Sequence, residues 1–256
     1  MIKIPKTHPR YLSLIQREKI IDGLKEGYVT EAGLIAQGRG EAFDYLLGEK
    51  TTQEAKKAEK AAVALLILAK NPVISVNGNV AALVPKEIVN LGKILNAKLE
   101  VNLFYRSLKR EKLIEKILRK NNATKVFGIG RKGKEKKIPK LDSERGKVSK
   151  EGIFRADVVL VSLEDGDRTE ALVNMNKRVI AIDLNPLSRT AQKATITIVD
   201  NITRAIPNMI KIASELNKAN EKKLRRIVRN FNNEKNLRES IKCILSNLEK
   251  LTQKSI

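Results

Sequence analysis

Polar residues that could bind a ligand follow three apolar runs in the second half of the chain. The runs are Val158–Val161, Val179–Ile182 and Ala194–Val199, and each is short and rich in β-branched residues. This composition is typical of strands buried on both faces of a parallel sheet. Since ligands of open α/β sheets bind beyond the carboxyl ends of the strands, we expect the polar residues after these runs to converge on one small-molecule site.

The first polar cluster offers three carboxylates, Glu164, Asp165 and Asp167. Mg²⁺ prefers a few carboxylates together with phosphate oxygens and water, so this cluster is a candidate magnesium site. Alternatively, Asp167 caps the following helix, and Glu170 three residues later completes a capping box. The two interpretations are compatible, and both stay open.

The second cluster contains Asp183 and Asn185 directly after a buried run. An oxygen acceptor there could contact an adenine amino group or ribose hydroxyls, although forming a turn is the ordinary role of such residues. The sequence has no Walker A motif, so phosphates would need other partners, and arginine can grip two phosphate oxygens at once. The arginine candidates are Arg17, Arg39, Arg168 and Arg189, of which Arg39 and Arg189 are favoured by their loop or glycine-rich settings.

Scarce residue types exclude several kinds of chemistry. One cysteine, Cys243, excludes an internal disulfide and a cysteine-based zinc site, and it favours a reducing cytoplasm. Because His8 is the single histidine, a histidine-dependent triad or a multi-histidine metal centre is nearly excluded. No apolar run approaches the roughly 18 residues of a membrane span and no signal sequence is visible, so we expect no membrane association.

The formal net charge of +22 allows a second class of function. A strongly basic chain can bind nucleic acid, an anionic membrane surface or phosphorylated metabolites. Basic residues crowd the loop 131–140 and the segment 222–229, but aromatic residues make up only 4% of the chain and do not interleave with them. The chain therefore offers few aromatic side chains on which nucleic-acid bases could stack. A nucleic-acid-binding protein is the less favoured alternative.

A third interpretation comes from Gly128–Gly133, which matches the dinucleotide-binding fingerprint. In that fingerprint the glycines open an apolar helix at the first strand-to-helix turn. Here a charged stretch with Pro139 follows instead. A nicotinamide site is therefore the weakest hypothesis, and a glycine- and lysine-rich loop is the ordinary interpretation.

Periodicity predicts the elements that would position these residues. Helices are expected over 11–25, 30–46, 51–70, 85–96 and 108–120, and strands over 73–76, 99–103 and 125–128, ahead of the three runs above. Pro9 can occupy the first turn of the first helix. Gly38-Arg39-Gly40 predicts a break or a close contact in the second helix. A capping box at 51–54 opens the third helix. The alternation of strands and helices predicts an α/β fold, a Rossmann-like and mostly parallel sheet with helices on both faces.

Three regions of the chain are expected. Residues 1–70 form an N-terminal helical region packed on the core, 71–217 form the Rossmann-like core with the ligand site, and 218–256 form a basic helical C-terminal extension. A break is expected at 230–233. The last helix carries an apolar stripe that we expect to pack on the body or on a second subunit, formed by Leu237, Ile241, Ile244 and Leu248.

Several longer segments, taken together, resemble one family, the archaeal phosphopantothenate synthetases or 4-phosphopantoate–β-alanine ligases. The resemblance extends from about Ile4 to Leu216 and is carried by 4–11, 32–49, 71–79, 101–106, 163–173, 181–191 and 197–201. The basic loop 131–140 and the segment after Lys218 depart from the pattern.

The resemblance implies an AMP-forming ligase of coenzyme A synthesis that uses ATP, and it favours a homodimer. We expect arginines and Mg²⁺ to neutralise the charge of the phosphates. ATP and 4-phosphopantoate would give an acyl-adenylate and diphosphate, and the amine of β-alanine would then displace AMP to give 4′-phosphopantothenate. The residues that the resemblance implies for ATP binding are Arg17, Arg39, Asp183, Leu184, Asn185, Arg189, Thr190, Asn201 and Ile202.

The acid substrate and the proton acceptor are less well defined by the sequence. We expect Asn77, Asn79 and Arg106 near phosphopantoate, because Asn-Gly-Asn follows a buried run and an arginine can pair with a phosphate. The base that deprotonates the β-alanine ammonium is not identified, and His8 and the acidic cluster are the candidates.

Overall fold

A parallel sheet dominates the computed structural model of the chain, which describes residues 4–130, 133, 135–163 and 165–253. Its strands are β1 (Pro72–Val76), β2 (Lys98–Val101), β3 (Val126–Phe127), β4 (Glu135–Lys137), β5 (Lys147–Ser149), β6 (Val158–Ser162), β7 (Arg178–Ile182) and β8 (Ile196–Ile198). Six of them form one sheet in the order β3-β2-β1-β6-β7-β8, with every neighbouring pair parallel. The predicted Rossmann-like α/β fold is confirmed.

Helices cover the sheet and extend beyond it at both ends of the chain. They are α1 (Tyr11–Lys25), α2 (Glu31–Leu47), α3 (Gln53–Leu68), α4 (Gly78–Leu83), α5 (Pro85–Ile94), α6 (Leu108–Lys120), α7 (Gly166–Asn174), α8 (Arg189–Lys193), α9 (Ile202–Leu216), α10 (Glu221–Arg229) and α11 (Asn233–Thr252). Within the described ranges, none of them combines the length and the apolar character that crossing a bilayer requires.

Alternate side chains of the strands enter two apolar cores, one on each face of the sheet. Ile74, Leu160 and Ile180 belong to the larger core, which is completed by helices α3, α5 and α9. Val73 and Val159 face the opposite way, into a smaller core that includes side chains of α7 and β5. Burial on both faces explains why these strands are apolar throughout.

The strand order reverses between β1 and β6. From β1 the chain adds β2 and β3 on one side, and it then returns to the other side of β1 to add β6, β7 and β8. Such a reversal is a topological switch point, where the loops after the two central strands diverge and leave a crevice. The carboxyl ends of β1 and β6 therefore mark the expected position of a ligand.

The basic loop contains β4, one strand of a pair that the sequence did not predict. Strand β4 pairs antiparallel with β5, with Glu135 opposite Ser149. The residues of β4 are charged and exposed, so they show none of the apolar alternation by which a strand is recognised. Since β4 follows Gly133 closely, no helix opens after the glycine fingerprint, although residues 131, 132 and 134 lie outside the described ranges.

Three local predictions in the N-terminal region are wrong. Of the two expectations for Gly38-Arg39-Gly40, the break is wrong, since helix α2 runs continuously through both glycines and packs against α1 and α11. Pro9 precedes α1 and is not in its first turn. Thr52, one residue later than the predicted cap, accepts a hydrogen bond from Ala55 N at 3.1 Å and caps α3.

The C-terminal helices pack against the body of the protein. Helix α10 contacts α3, and α11 contacts α2, α3, α8 and β8. The side chain of Asn233 accepts a hydrogen bond from Thr197 N at 2.7 Å and donates to Ala191 O at 3.0 Å, so it covers the outer edge of β8. Leu237 of the apolar stripe is buried whereas Leu248 is exposed. The division into three regions stays a prediction.

Candidate active site at the switch point

A cavity of about 690 Å³ lies over the carboxyl ends of four neighbouring strands. Its volume is in the range of ligand pockets. Helix α2 contributes Ala36, Arg39 and Gly40 to one wall. The strand ends supply the remaining lining, with Leu103–Tyr105 after β2, Asn77–Asn79 after β1, Leu163, Asp165 and Gly166 after β6, and Asp183–Asn185 after β7.

The cavity brings together many of the residues that the sequence nominated. Those that line it are Arg39, Asn77, Asn79, Asp165, Asp183, Leu184, Asn185, Arg189 and Thr190. Those that the structure places elsewhere are Arg17, Arg106, Asp167, Arg168, Asn201 and Ile202. Glu164 lies outside the described residues.

The loop after β7 is braced by the carboxylate of Asp183. Its Oδ1 accepts a hydrogen bond from Asn185 N at 2.9 Å and its Oδ2 accepts one from Ser188 Oγ at 2.5 Å. Burial raises the pKa of Asp183, and these hydrogen bonds and the charge of Arg39 oppose the rise. Ser188 in turn accepts from Ala191 N at 2.9 Å and caps α8. This loop is therefore a rigid turn with its apolar Leu184 facing the cavity.

Two arginines that could bind an anion line the end of the cavity next to β7. Arg39 is exposed on α2, and no ion pair to it is found among the described residues. Arg189 is 61% exposed and pairs with Glu170 at 2.5 Å, a surface contact that contributes little free energy. A Cβ atom on Gly166 would lie 2.5 Å from the Cβ of Arg189, so only glycine at this position leaves room for the arginine side chain.

At the other end, the two asparagines after β1 hold the backbone together. Asn77 Oδ1 accepts from Val80 N at 3.0 Å and caps α4, a helix that the sequence did not predict. Its Nδ2 donates to Ser162 O at 2.9 Å and so bridges β1 and β6 at the switch point. Asn79 Nδ2 donates to Gly33 O at 2.9 Å. Contact of either side chain with phosphopantoate stays a prediction.

Arg106 is occupied by carboxylates outside the cavity. Its Nε lies 2.6 Å from Glu111 Oε1, and a terminal nitrogen lies 3.3 Å from Glu135 Oε2. Arg110 and Arg145 line the cavity in its place. Neither arginine was nominated from the sequence, although Arg110 lies only four residues after Arg106.

The acidic loop after β6 places one described carboxylate in the cavity. Asp165 occupies the N-cap position of α7 and pairs with Arg145 Nε at 3.1 Å. The alternative that Asp167 caps this helix is wrong, since the helix begins at Gly166 and Asp167 is exposed in its first turn. In the described part of the chain, no three His, Cys, Asp or Glu side chains gather to hold a metal ion. A magnesium ion here would depend on Asp165, phosphate oxygens and water.

Arg17 and Asn201 belong to a polar cluster around a different face of α2, and Ile202 is buried in the larger apolar core. Arg17 pairs with Glu41 at 3.3 Å, and Asn201 Nδ2 donates to Asp44 Oδ2 at 2.9 Å. Partial burial raises the pKa of Glu41, but hydrogen bonds from Ser13, Tyr45, Arg17 and Arg10 prevail and lower it to about 2. Contact of these residues with ATP stays a prediction that the cavity lining does not support.

His8 lies outside the cavity as well. It is exposed ahead of α1, and its Nδ1 accepts a hydrogen bond from Arg10 N at 3.0 Å. Its visible role is to stabilise a turn. Of the candidate bases that the structure describes, Asp165 is therefore the one that lines the cavity.

The fold and the cavity define a class of protein. A Rossmann-like sheet that opens a cavity at its switch point, with arginines facing it and no Walker A loop, is an α/β protein suited to small anionic ligands.

The comparisons with known proteins identify the family. This chain belongs to the phosphopantothenate/pantothenate synthetases, whose family model matches residues 54–247. It is 56% identical to the 4-phosphopantoate–β-alanine ligase of Thermococcus onnurineus and 55% identical to that of Thermococcus kodakarensis, in each case over 100% of this chain and 97% of the relative. The ligase of Methanosarcina mazei is 52% identical over 97% of both chains. The expected resemblance is confirmed, and the alignment also includes the segment after Lys218.

Proposed function

We propose that this chain is an ATP-dependent, AMP-forming ligase that joins 4-phosphopantoate to β-alanine. The observation that supports this most strongly is the cavity across four strand ends, since it has arginines at both ends and room for a nucleotide and an acid together. The relatives named as 4-phosphopantoate–β-alanine ligases match this chain over its full length.

ATP is assigned to the half of the cavity next to β7. Arg39 and Arg189 would grip its phosphates, and the turn braced by Asp183 would hold the adenosine portion. The N-terminus of α7 lies between the two halves of the cavity, at Gly166. Its backbone N–H groups favour negative charge, which suits the position of the α-phosphate.

The proposed reaction needs little covalent help from the protein. A carboxylate oxygen of phosphopantoate attacks the α-phosphorus of ATP, and diphosphate leaves. The amine of β-alanine then attacks the acyl carbon, and AMP leaves with the electron pair of the broken carbon–oxygen bond. The enzyme aligns the reacting atoms and neutralises phosphate charge.

Mg²⁺, which Asp165 could hold, would add to the neutralisation of the phosphates when bound. The carboxylate of Asp165 lines the cavity and pairs with Arg145. Among the described residues, we assign the same carboxylate as the base that accepts the proton of the β-alanine ammonium.

A coupled assay of AMP release tests the proposal. We expect AMP to form only when ATP, 4-phosphopantoate and β-alanine are all present with the full-length chain. Arg39→Ala should lower kcat/KM at least about tenfold, because a lost charge-assisted contact is worth roughly 1.5–3 kcal/mol. Arg119→Ala, on an exposed face of α6, is the matched control. Release of AMP that does not depend on the acid or the amine would contradict the proposal.

We also infer that the ligase is a homodimer. Exposed apolar side chains on α1, α2 and α11, including Leu12, Ile35 and Leu251, are surfaces that a second copy could cover. Light scattering at several concentrations is the measurement, and a monomer at all of them would contradict the inference.

A further inference from the structure

Two arginines that the proposed chemistry leaves unassigned face the cavity on the side of β1 and β2. Arg110 lies in the first turn of α6, and Arg145 lies in a 3₁₀ turn ahead of β5. Burial and, next, the charge of Arg145 lower the pKa of Arg110, which indicates that the two guanidinium groups repel one another. Arg145 already pairs with Asp165, so the charge of Arg110 is the one that a bound anion would stabilise.

Arg110 is held in place by uncharged groups. One terminal nitrogen donates to Tyr28 O at 2.9 Å and the other donates to Tyr105 O. Among the residues that the structure describes, its buried Nε has no hydrogen-bond partner and no carboxylate forms an ion pair with it. The positive charge is therefore positioned but not neutralised.

Arg145 is fixed on both its side chain and its backbone. The side chain is buried and pairs with Asp165, Nε to Oδ2, at 3.1 Å. The backbone carbonyl accepts a hydrogen bond from Asn102 Nδ2 at 3.1 Å, directly after β2. These contacts hold the guanidinium of Arg145 at the wall of the cavity.

Gly78 makes room for this arrangement. A Cβ atom at this position would collide with the carbonyl of Tyr28 and would lie 3.3 Å from a terminal nitrogen of Arg110. Any larger residue would disturb the contact that orients Arg110. Four segments therefore shape this part of the cavity. The start of α6 and the turn before β5 carry the two arginines, and the loop before α2 and the start of α4 hold Arg110 in place.

We propose that Arg110 and Arg145 bind the phosphate monoester of the acid substrate and so select the phosphorylated acid over the unphosphorylated one. This assignment rests on the proposed ligase function. Arg110 follows β2 and Arg189 follows β7, and the ends of these two strands are three strand spacings apart, about 14 Å. The ester phosphate and the nucleotide phosphates can therefore bind at the same time, with the carboxylate of the acid directed to the middle of the cavity.

Kinetics of two substitutions test the assignment. Arg110→Gln should raise the KM for 4-phosphopantoate about 10- to 100-fold and leave the KM for ATP within about twofold, because only one substrate loses its charged partner. The preference for 4-phosphopantoate over unphosphorylated pantoate should fall by a similar factor. Arg110→Lys keeps the charge and should lose less. Arg119→Gln, on the same helix, is the control and should change neither constant.

An equal rise in the KM for ATP, or an unchanged preference for the phosphorylated acid, would overturn the assignment. Thermal unfolding of both variants checks that they are folded. If Arg110→Gln is not, the test is the smaller rise in the KM for 4-phosphopantoate that we expect of Arg110→Lys, with the KM for ATP unchanged. Titration with inorganic phosphate is independent of turnover: the wild-type chain should bind it at least about tenfold more tightly than Arg110→Gln, and equal binding would refute the subsite. A wild-type chain that binds phosphate in this way but releases no AMP would refute the proposed function instead.

Discussion

A buried carboxylate in α3 should make the stability of this protein depend on pH. Glu59 is 1% exposed, and its Oε1 accepts a hydrogen bond from Asn208 Nδ2 at 3.1 Å. Burial raises the pKa of Glu59 to about 7, the hydrogen bond from Asn208 opposes the rise, and the charge of Asp200 adds to it. In the unfolded chain the same carboxyl group would ionise near its ordinary value of 4.5.

The sign and size of the effect follow from these two values. Below about pH 4.5 the carboxyl group is protonated in both states, and its favourable contribution to folding is fully present. As the pH rises to about 7 the unfolded chain releases the proton first, so this contribution is lost. Each pKa unit corresponds to about 1.4 kcal/mol, so above pH 7 ionisation of Glu59 costs the folded state about 3 kcal/mol.

The substitution Glu59→Gln isolates this cost, since the amide cannot ionise but can still accept the hydrogen bond from Asn208. In urea unfolding followed by circular dichroism, we expect the variant and the wild type to be about equally stable at pH 4.5. At pH 8 the variant should be more stable by about 3 kcal/mol. The exposed Glu249→Gln is the control and should show no such trend. A difference that is constant with pH, or absent at pH 8, would refute the reasoning.

Further predictions concern the site and the C-terminal helices. Arg189→Ala should lower kcat/KM for ATP at least about tenfold in the AMP assay, and near-normal activity would contradict its role. Gly166→Ala should lower the same constant, because its Cβ would displace Arg189, and it should add little in the Arg189→Ala background. Asp165→Asn should raise the Mg²⁺ concentration needed for half-maximal activity, and an unchanged titration would exclude it as a ligand. Deletion of 218–256 should lower the Tm, because it uncovers α3 and the edge of β8, and an unchanged Tm would contradict that packing.

The sequence was most informative where burial restricts the choice of residue. Strands such as Val158–Ser162 are packed on both faces, so their apolar runs identified the parallel sheet and its carboxyl-end loops. Exposed elements carry no such restriction, which is why β4 was missed. The continuity of α2 through Gly38 also could not be predicted, since it depends on packing by distant helices.

The site was predictable at the strand ends and less so on the helices. Asp183 and Asn185 follow directly from the position of β7, and both line the cavity. The sequence does not reveal whether α1 reaches the cavity; no residue of α1, which the structure describes throughout, lines it, and Arg17 lies with Glu41 instead. In the same way Arg106 and Arg110 are equivalent by type, and only the carboxylates around Arg106 show that Arg110 is the one left facing the cavity.

The route of the carboxylate oxygen tests the central claim, that phosphopantoate is activated as an adenylate over the switch point. The full-length chain would be incubated with ATP, β-alanine and 4-phosphopantoate labelled with ¹⁸O in its carboxylate. Because the oxygen that attacks the α-phosphorus stays on it when the amide forms, mass spectrometry should find one ¹⁸O atom in the phosphate of AMP. Label in inorganic phosphate, together with ADP, would show that an acyl phosphate forms instead and would contradict the account.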